Sequence, residues 1–271
     1  MTYELNDPSA DYDLGLPGEV HVAPDSDQLY DDLATVFACM AIEAVEDRGV
    51  FHIALSGGTT PWPFYQRLVI DPRFRGVPWE HTHIWIVDER RVPEDDDRNN
   101  FKSLRAALVE DIPTPPEQVH PMMVMHEAPD VLYEAELRAA FAMPEGEPGD
   151  PGESGGLGVP CMDFVLLGMG GDCHTASLFP NSDAIHVDDR LIVVNEGPAV
   201  TPPDRVTMTY PLLNAARMLV VLCVGAKKTE ALKRVAEQMK TGPDPVNIPI
   251  TGIQPTDGGL TWYLDADAAG A

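Results

Sequence analysis

Basic residues are scarce in this sequence, and long apolar runs are missing. Lysine and arginine total 18 against 44 aspartates and glutamates, which gives a formal net charge of −26. A surface potential of that sign repels nucleic acids and anionic membranes, so we expect neither as a partner. No apolar run is long enough to span a bilayer, and the acidic start of the chain is unlike a signal peptide. We therefore expect a cytoplasmic protein with a strongly acidic, solvated surface.

Cysteine is also sparse, which excludes two ways of stabilising a fold. The four cysteines are Cys39, Cys161, Cys173 and Cys223. They form no CxxC pair, and no Cys/His cluster has the spacing of a zinc site. We therefore expect neither a metal site nor a disulfide framework, and a hydrophobic fraction of 44% is enough for an ordinary core.

Short apolar runs alternate with amphipathic segments along the chain. One helix is predicted from Ser26 or Asp27 to Gly49, because apolar residues recur there at helical spacing between a capping side chain and a terminating glycine. The predicted strands are 51–55, 83–87, 163–167, 191–194 and 219–224, with one near Val119 and a last one in LTWYLD. This alternation predicts an α/β fold with a mostly parallel sheet and helices on both faces.

We interpret residues 1–271 as a single domain. Residues 1–20 show little periodicity and are expected to be a loose N-terminal arm. Residues 144–160 are rich in Gly, Pro and Glu, and the elements on both sides of them belong to one fold. We therefore expect a surface loop there rather than a boundary between domains.

A glycine-rich turn follows the strand 51–55. In SGGTTP, Gly57 and Gly58 permit a sharp turn and a close approach of the backbone to a ligand, while Ser56, Thr59 and Thr60 add hydroxyls. A helix starts next, and its free N–H groups favour an anion. The string predicts a phosphate cradle. Taken alone, it is equally compatible with an ordinary turn capped by a hydroxyl.

Charged residues follow the strand 83–87 directly. In DERRVP, the carboxylates of Asp88 and Glu89 stand beside the guanidinium of Arg90, a pairing that orients a polar substrate. Asn99 and Asn100 lie just downstream and are candidates to bind hydroxyls of a ligand. The alternatives are a surface salt-bridge cluster for the charges and a helix cap for the asparagines.

The strand 163–167 ends in GMGGDCHTASLFP. A histidine beside a carboxylate is suited to general-base catalysis, and here His174 follows Asp172. The N–H groups of Gly170 and Gly171 are candidates to hold a developing oxyanion. A histidine with only structural hydrogen bonds is the alternative. Its place after a glycine-rich strand end favours catalysis.

Cations are gathered at two further points. Arg205 lies in PDRVTMTYP, and Lys227 and Lys228 lie in VGAKKTEAL at a helix start, where positive charge opposes the helix dipole. An anionic ligand would offset that cost. In a chain with so few cations, the pattern favours phosphate binding over two solvated lysines in a surface turn.

In this order, the segments resemble the 6-phosphogluconolactonase family. The match runs from LSGGTTP to TWYLDADAA and includes WIVDERRVP, the NNF after it, YEAELR, DFVLLGMGGDCHTASLFP, RVTMTYP and VGAKKTEAL. The resemblance implies a Rossmann-like α/β fold shared with glucosamine-6-phosphate deaminase. It also implies a hydrolase without metal or cofactor that opens 6-phosphoglucono-1,5-lactone with water, in the oxidative pentose phosphate pathway. We expect a monomer or a small homo-oligomer.

The resemblance assigns roles to individual positions. His174 resembles the general base that activates water, with Asp172 supporting it and Arg90 positioning the substrate or stabilising negative charge. Residues 56–60, Arg205 and Lys228 would hold the phosphate and the sugar. The family has glycine where this chain has Cys173, so a φ above zero there would strain the cysteine and tilt His174.

Two alternative functions are also compatible with the sequence. The first is a deaminase or isomerase acting on an amino sugar phosphate, but that branch carries an HIAFNEP-like string where this chain has HTASLFP. The second is a non-catalytic sugar-phosphate sensor, which Cys173 motivates. The presence of both Asp172 and His174 argues against the loss of catalysis.

Overall fold

Seven parallel strands form the central sheet of this structure, a computed structural model that describes residues 14–142, 158–197 and 199–271. The strands are β1 (Glu19–Ala23), β2 (Phe51–Leu55), β3 (Thr82–Ile86), β4 (Asp88–Arg90), β5 (Val119–His120), β6 (Phe164–Gly168), β7 (Ile192–Glu196), β8 (Asp204–Met208), β9 (Met218–Cys223) and β10 (Gly259–Asp265). The helices are α1 (Ser26–Arg48), α2 (Trp62–Ile70), α3 (Asn100–Ala107), α4 (Pro129–Ala140), α5 (Tyr210–Asn214), α6 (Thr229–Met239) and α7 (Ala266–Ala269). The predicted α/β fold with a mostly parallel sheet is confirmed.

The order of strands in the central sheet is β1-β10-β9-β6-β2-β3-β5. From β2 the chain runs outward to β3 and β5. It then returns to β6 on the other side of β2, and later runs outward to β9 and β10. The chain thus reverses its direction of travel between β2 and β6, and the carboxyl ends of two such strands form the crevice where ligands bind in α/β sheets.

A second sheet, antiparallel and of three strands, has the order β4-β8-β7. Only Val87 separates the end of β3 from the start of β4, and the register of β4 with β8 pairs Asp88 with Thr207 and Arg90 with Arg205. This sheet was not predicted. The predicted strand at 191–194 belongs to it as β7, whereas β4 and β8 are polar strands whose sequence does not show a strand pattern.

Helix α1 packs its apolar stripe on the central sheet. The edge-to-face contacts of Phe37 with Phe51, Phe64 and Phe164 have centroid distances of 5.4, 5.8 and 5.2 Å. The N-cap is Asp25, whose side chain accepts from the Gln28 N–H, rather than Ser26 or Asp27. The helix ends at Gly49, as predicted, with a φ of 77° that only glycine adopts readily.

The N-terminal part of the described chain forms the edge of the central sheet. Strand β1 pairs in parallel with β10, and Trp262 Nε1 donates to the carbonyl of Pro17 at 2.8 Å. The expected loose arm therefore does not extend to residue 20, and residues 1–13 lie outside the described residues. The expected loop at 144–160 falls mostly outside them too, and residues 158–160 have no regular secondary structure.

No helix in the described ranges is long and apolar enough to cross a membrane.

Three histidines lie together on one face of the sheet beneath α4. His83 Nδ1 is 2.9 Å from His120 Nε2, and His120 Nδ1 is 2.6 Å from the Glu136 carboxylate. His52 stacks on Phe141 and is 6% exposed. Burial, together with the neighbouring histidine charges, lowers the pKa of His52 to about 3 and that of His83 to about 4. Both rings therefore pack as neutral side chains.

This packing makes the protein sensitive to acid. Because the folded-state pKa of His52 lies below its unfolded value, the unfolded chain binds more protons below about pH 6.5, and stability falls as the pH decreases. Between pH 7 and pH 5, His52 alone should remove about 2 kcal/mol from the free energy of unfolding. Urea unfolding at both pH values measures this loss.

The control for that measurement uses two glutamine substitutions. His52→Gln should reduce the pH dependence, whereas His81→Gln, at an exposed position, should leave it unchanged. An unaltered pH dependence in His52→Gln would contradict the assignment of the loss to this cluster.

Candidate active site

A cleft of about 340 Å³ opens where β2 and β6 end, between the central sheet and the antiparallel sheet. The predicted site residues that line it are Ser56, Gly57, Asp88, Arg90, Asn100, Gly170, His174, Arg205 and Lys228. A smaller pocket of about 80 Å³ adjoins it, lined by Gly58 and Thr60 among others and sharing Ser56, Gly57 and Lys228. Thr59, Glu89, Gly171 and Asp172 line neither space.

The histidine and the carboxylate predicted to act as a pair are in contact. His174 Nδ1 is 2.6 Å from Asp172 Oδ1, which also accepts from the His174 backbone N–H at 3.2 Å. Burial raises the pKa of Asp172, but the hydrogen bond and charge of His174 outweigh it and hold that pKa below its usual value. An ionised carboxylate only accepts, so the proton of the neutral ring is on Nδ1 and the Nε2 lone pair is free for chemistry.

Gly170 lies directly beneath this pair. A Cβ at this position would be 2.3 Å from the His174 ring and 2.6 Å from Asp172 Oδ1, so only glycine fits. Its N–H donates to the His174 carbonyl at 2.9 Å. That bond corrects the expectation that Gly170 holds an oxyanion, because the donor is already used to close the loop.

Cys173 has a φ of 68° and is fully buried. Its N–H donates to Gly170 O at 3.0 Å, and its carbonyl accepts from Ile250 N at 3.0 Å. The position therefore requires the left-handed conformation, and the cysteine is strained there. The contact of 2.6 Å between His174 and Asp172 is nevertheless formed.

Three cations line the cleft without a carboxylate partner. Lys228 Nζ donates to the Met169 carbonyl at 2.5 Å, and Arg90 Nη1 donates to the Arg98 carbonyl at 2.7 Å. Arg205 is 5% exposed and donates to the carbonyls of Pro202 and Asp204. In the described part of the chain, no carboxylate lies within ion-pairing distance of any of the three cations. In so acidic a protein, cations without an ion-pair partner are suited to binding an anion.

Two hydrogen bonds of Ser56 hold the SGGTTP turn in place. Ser56 Oγ donates to Leu166 O at 2.7 Å, which links the end of β2 to β6, and the Ser56 carbonyl accepts from Tyr65 OH at 2.6 Å. Gly58 has a φ of 93° and turns the chain into α2, whose N-cap residue Pro61 lines the adjoining pocket, so the positive end of the helix dipole faces that pocket. The adjoining pocket thus combines a helix N-terminus with Lys228.

Glu89 is behind the cleft rather than in it. Its carboxylate has no exposed surface and accepts from the backbone N–H groups of Arg90, Asn100 and Phe101. Burial raises the pKa of Glu89 to about 7, although those hydrogen bonds oppose the shift. Glu89 therefore joins β4 to the start of α3, and its predicted role in substrate binding is wrong for this geometry.

Asn100 carries an unpaired acceptor at the cleft. Its Nδ2 donates to Asp88 O at 2.8 Å, whereas its Oδ1 is buried and has no hydrogen-bond partner. A Cβ at Gly57 would be 2.1 Å from that oxygen, so the glycine lets the amide reach the cleft. A buried acceptor without a partner is costly, and a ligand hydroxyl would satisfy it.

Two residues that the sequence reasoning missed also line the cleft. Ser177 Oγ donates to Asp88 Oδ2 at 2.6 Å, and the Phe179 ring packs 4.9 Å from the His174 ring. Both belong to the HTASLFP string that follows the glycines, and their position just after His174 in the sequence is the signal by which they were detectable.

In the described ranges, no group of three or more His, Cys, Asp or Glu side chains is arranged to hold a metal ion.

Comparisons with known proteins agree on one family. The family model described as glucosamine-6-phosphate isomerases/6-phosphogluconolactonase matches residues 24–262. A 6-phosphogluconolactonase of Nostoc sp. is 36% identical over 255 residues, which cover 93% of this chain and 97% of that protein. A solved 6-phosphogluconolactonase from Trypanosoma cruzi has a TM-score of 0.77 at 25% identity and covers 94% of this chain and 97% of its own.

A longer relative matches as well. The GDH/6PGL endoplasmic bifunctional protein of Oryctolagus cuniculus is 39% identical over 244 residues, which cover 89% of this chain. The chain spans about 29% of the length of this relative and of its human counterpart.

The strain at Cys173 is measurable by comparing two substitutions. Cys173→Ala and Cys173→Gly both remove the thiol, but only glycine relieves the left-handed conformation. The glycine variant should be more stable than the alanine variant by about 1 kcal/mol, since the strain of 1–2 kcal/mol is partly offset by the greater freedom of unfolded glycine. Urea unfolding of both variants measures the difference. An alanine variant more stable than the glycine variant would show that the position carries no strain, because only the unfolded-state effect would then remain.

The close approach at Gly170 predicts a catalytic defect. The methyl group of Gly170→Ala would displace the His174 ring. We expect kcat to fall about 100-fold, the loss typical of a catalytic group misplaced by about 1 Å. The control is Gly76→Ala, where an added Cβ meets nothing within 4 Å. Steady-state kinetics and thermal melts of both variants test this, and a Gly170→Ala enzyme with normal kcat would contradict the geometry.

Proposed function

Because this chain belongs to the glucosamine-6-phosphate isomerase/6-phosphogluconolactonase family, we propose that it hydrolyses 6-phospho-D-glucono-1,5-lactone to 6-phosphogluconate. This reaction is the second step of the oxidative pentose phosphate pathway. The observation that carries the proposal is the contact of 2.6 Å between His174 and Asp172 in a cleft lined by cations without carboxylate partners.

His174 acts as the general base. Asp172 holds the proton on Nδ1, so Nε2 accepts a proton from water as the water oxygen attacks C1 of the lactone. The C1 carbonyl oxygen becomes an oxyanion in the tetrahedral intermediate. When the intermediate collapses, the bond between C1 and the ring oxygen breaks, and the imidazolium returns its proton to that oxygen. One water is added in the process, and the ring opens.

Two guanidinium groups stabilise the negative charge of the intermediate. Arg90 and Arg205 are directly opposite each other on β4 and β8, and both line the cleft. Because Arg205 is almost fully buried, its charge acts in a medium of low dielectric constant, where it is worth more than at the surface. These side chains take the place of the glycine N–H groups that the sequence suggested for the oxyanion.

The phosphate of the substrate occupies the smaller pocket. Lys228, the SGGTTP backbone and the N-terminus of α2 converge there, and such a combination favours an anion. The sugar then extends into the larger cleft, where Asp88 and the unpaired Oδ1 of Asn100 accept hydrogen bonds from its hydroxyls.

The geometry around Cys173 does not support the alternative of a non-catalytic sensor. Cys173 is strained, but its strain does not separate His174 from Asp172. The bonds that hold the loop, from Gly170 N to His174 O and from Ile250 N to Cys173 O, keep the pair in place.

Hydrolysis of freshly generated 6-phosphogluconolactone tests the proposal. The wild-type protein should accelerate ring opening over the spontaneous rate, with a chelator present. His174→Ala should lower kcat by about 100- to 10,000-fold, the range typical of a lost general base, and should still bind 6-phosphogluconate. His186→Ala removes an exposed histidine and is the matched control. Full activity in His174→Ala would contradict the assigned role.

A further inference from the structure

Ser177 joins the loop that carries His174 to all three strands of the antiparallel sheet. Its Oγ donates to Asp88 Oδ2 on β4 at 2.6 Å, and its N–H donates to Thr207 Oγ1 on β8 at 3.1 Å. Its carbonyl accepts from Asn195 Nδ2 on β7 at 2.7 Å. The residue is 1% exposed, so each of its polar groups is paired inside the protein.

The loop around Ser177 needs such anchoring. Cys173, Ala176 and Asn181 all have positive φ values, of 68°, 49° and 59°. Non-glycine residues persist in this conformation only where the surrounding structure fixes them. The two backbone hydrogen bonds of Ser177 serve this purpose and do not depend on its side chain. The side-chain hydroxyl is therefore not needed to hold the loop, and its hydrogen bond to Asp88 has a separate role.

That role concerns Asp88, a carboxylate at the wall of the cleft. Asp88 is 8% exposed. The charge of Arg205 attracts it, but no cation in the described ranges lies within the 4 Å of an ion pair with it. A buried carboxylate is costly unless it accepts hydrogen bonds, and Ser177 supplies one to Oδ2. The other oxygen, Oδ1, is left to accept from whatever fills the cleft.

We propose that Ser177 is a positioning residue that fixes the Asp88 carboxylate so that Oδ1 accepts a hydrogen bond from a hydroxyl of the bound sugar. The proposal rests on the proposed function, because it takes a sugar phosphate as the ligand. A serine hydroxyl has one proton, which Asp88 already accepts, so Ser177 acts through Asp88 rather than on the substrate.

The variant Ser177→Ala isolates this interaction, since it keeps both backbone hydrogen bonds and removes only the bond to Asp88. Its KM should rise about tenfold, because a bond to the charged Asp88 is lost. Its kcat should stay within about twofold, because sugar binding is weakened equally in the ground state and the transition state. In an Asp88→Asn background, Ser177→Ala should add almost nothing, which a double-mutant cycle measures.

Ser182→Ala is the matched control. Ser182 belongs to the same buried network, accepting from Asn195 Nδ2 at 3.1 Å, but has no contact with Asp88. Its KM and kcat should match the wild type. A fall in kcat with constant KM in Ser177→Ala, full additivity with Asp88→Asn, or the same defect in Ser182→Ala would each overturn the proposal in favour of a structural role.

Binding of 6-phosphogluconate, measured by calorimetry on the same proteins, separates this proposal from the proposed function. If the wild type binds this product without hydrolysing the lactone, the proposed function fails, and the cycle is then determined from Kd with the same expected coupling. If the wild type neither hydrolyses the lactone nor binds the product, both proposals are wrong.

Discussion

The pairing of β2 with β6 is the interaction on which the candidate site depends. Its register sets Leu55 beside Leu166, and Ser56 Oγ then reaches Leu166 O at the end of the pair. Both strands are almost entirely buried, so their alignment is fixed by the core rather than by the site. The glycine turn after β2 and the histidine loop after β6 are thereby placed next to each other.

The antiparallel sheet supplies the other half of the site. Because only Val87 separates β3 from β4, the carboxyl end of a central strand leads directly into a second sheet beside the cleft. This places Arg90 opposite Arg205. At the surface of so acidic a chain, these two cations would form ion pairs with carboxylates. The buried polar contacts of that sheet, from Asp88 to Asn195, hold it against the histidine loop.

The sequence predicts the elements whose pattern is local. The mainly apolar runs of β2, β3, β6 and β9 were found, because strands buried on both faces leave a clear signal, and the periodic helix α1 was found as well. Strands β4 and β8 were missed, since DER and DRVTM become strands only through pairing with each other. That omission explains Glu89: in a strand, Asp88 and Arg90 share one face and Glu89 takes the opposite one. The partner of Ser177 lies 89 residues earlier in the chain, a contact that no local pattern shows.

The strand order also determines when the protein acquires its site during synthesis. The hydrogen bond of Ser56 forms with Leu166, 110 residues later in the chain. The hydrogen bond of Pro17, beside β1, forms with Trp262, 245 residues later. Contacts between such distant segments carry a high loop-closure entropy and form late in folding. A nascent chain therefore leaves one edge of the buried strand β2 unpaired until β6 has been synthesised, and it leaves β1 unpaired until β10, near the end of the chain, has been synthesised. Enzymatic activity is consequently a property of the finished sheet alone.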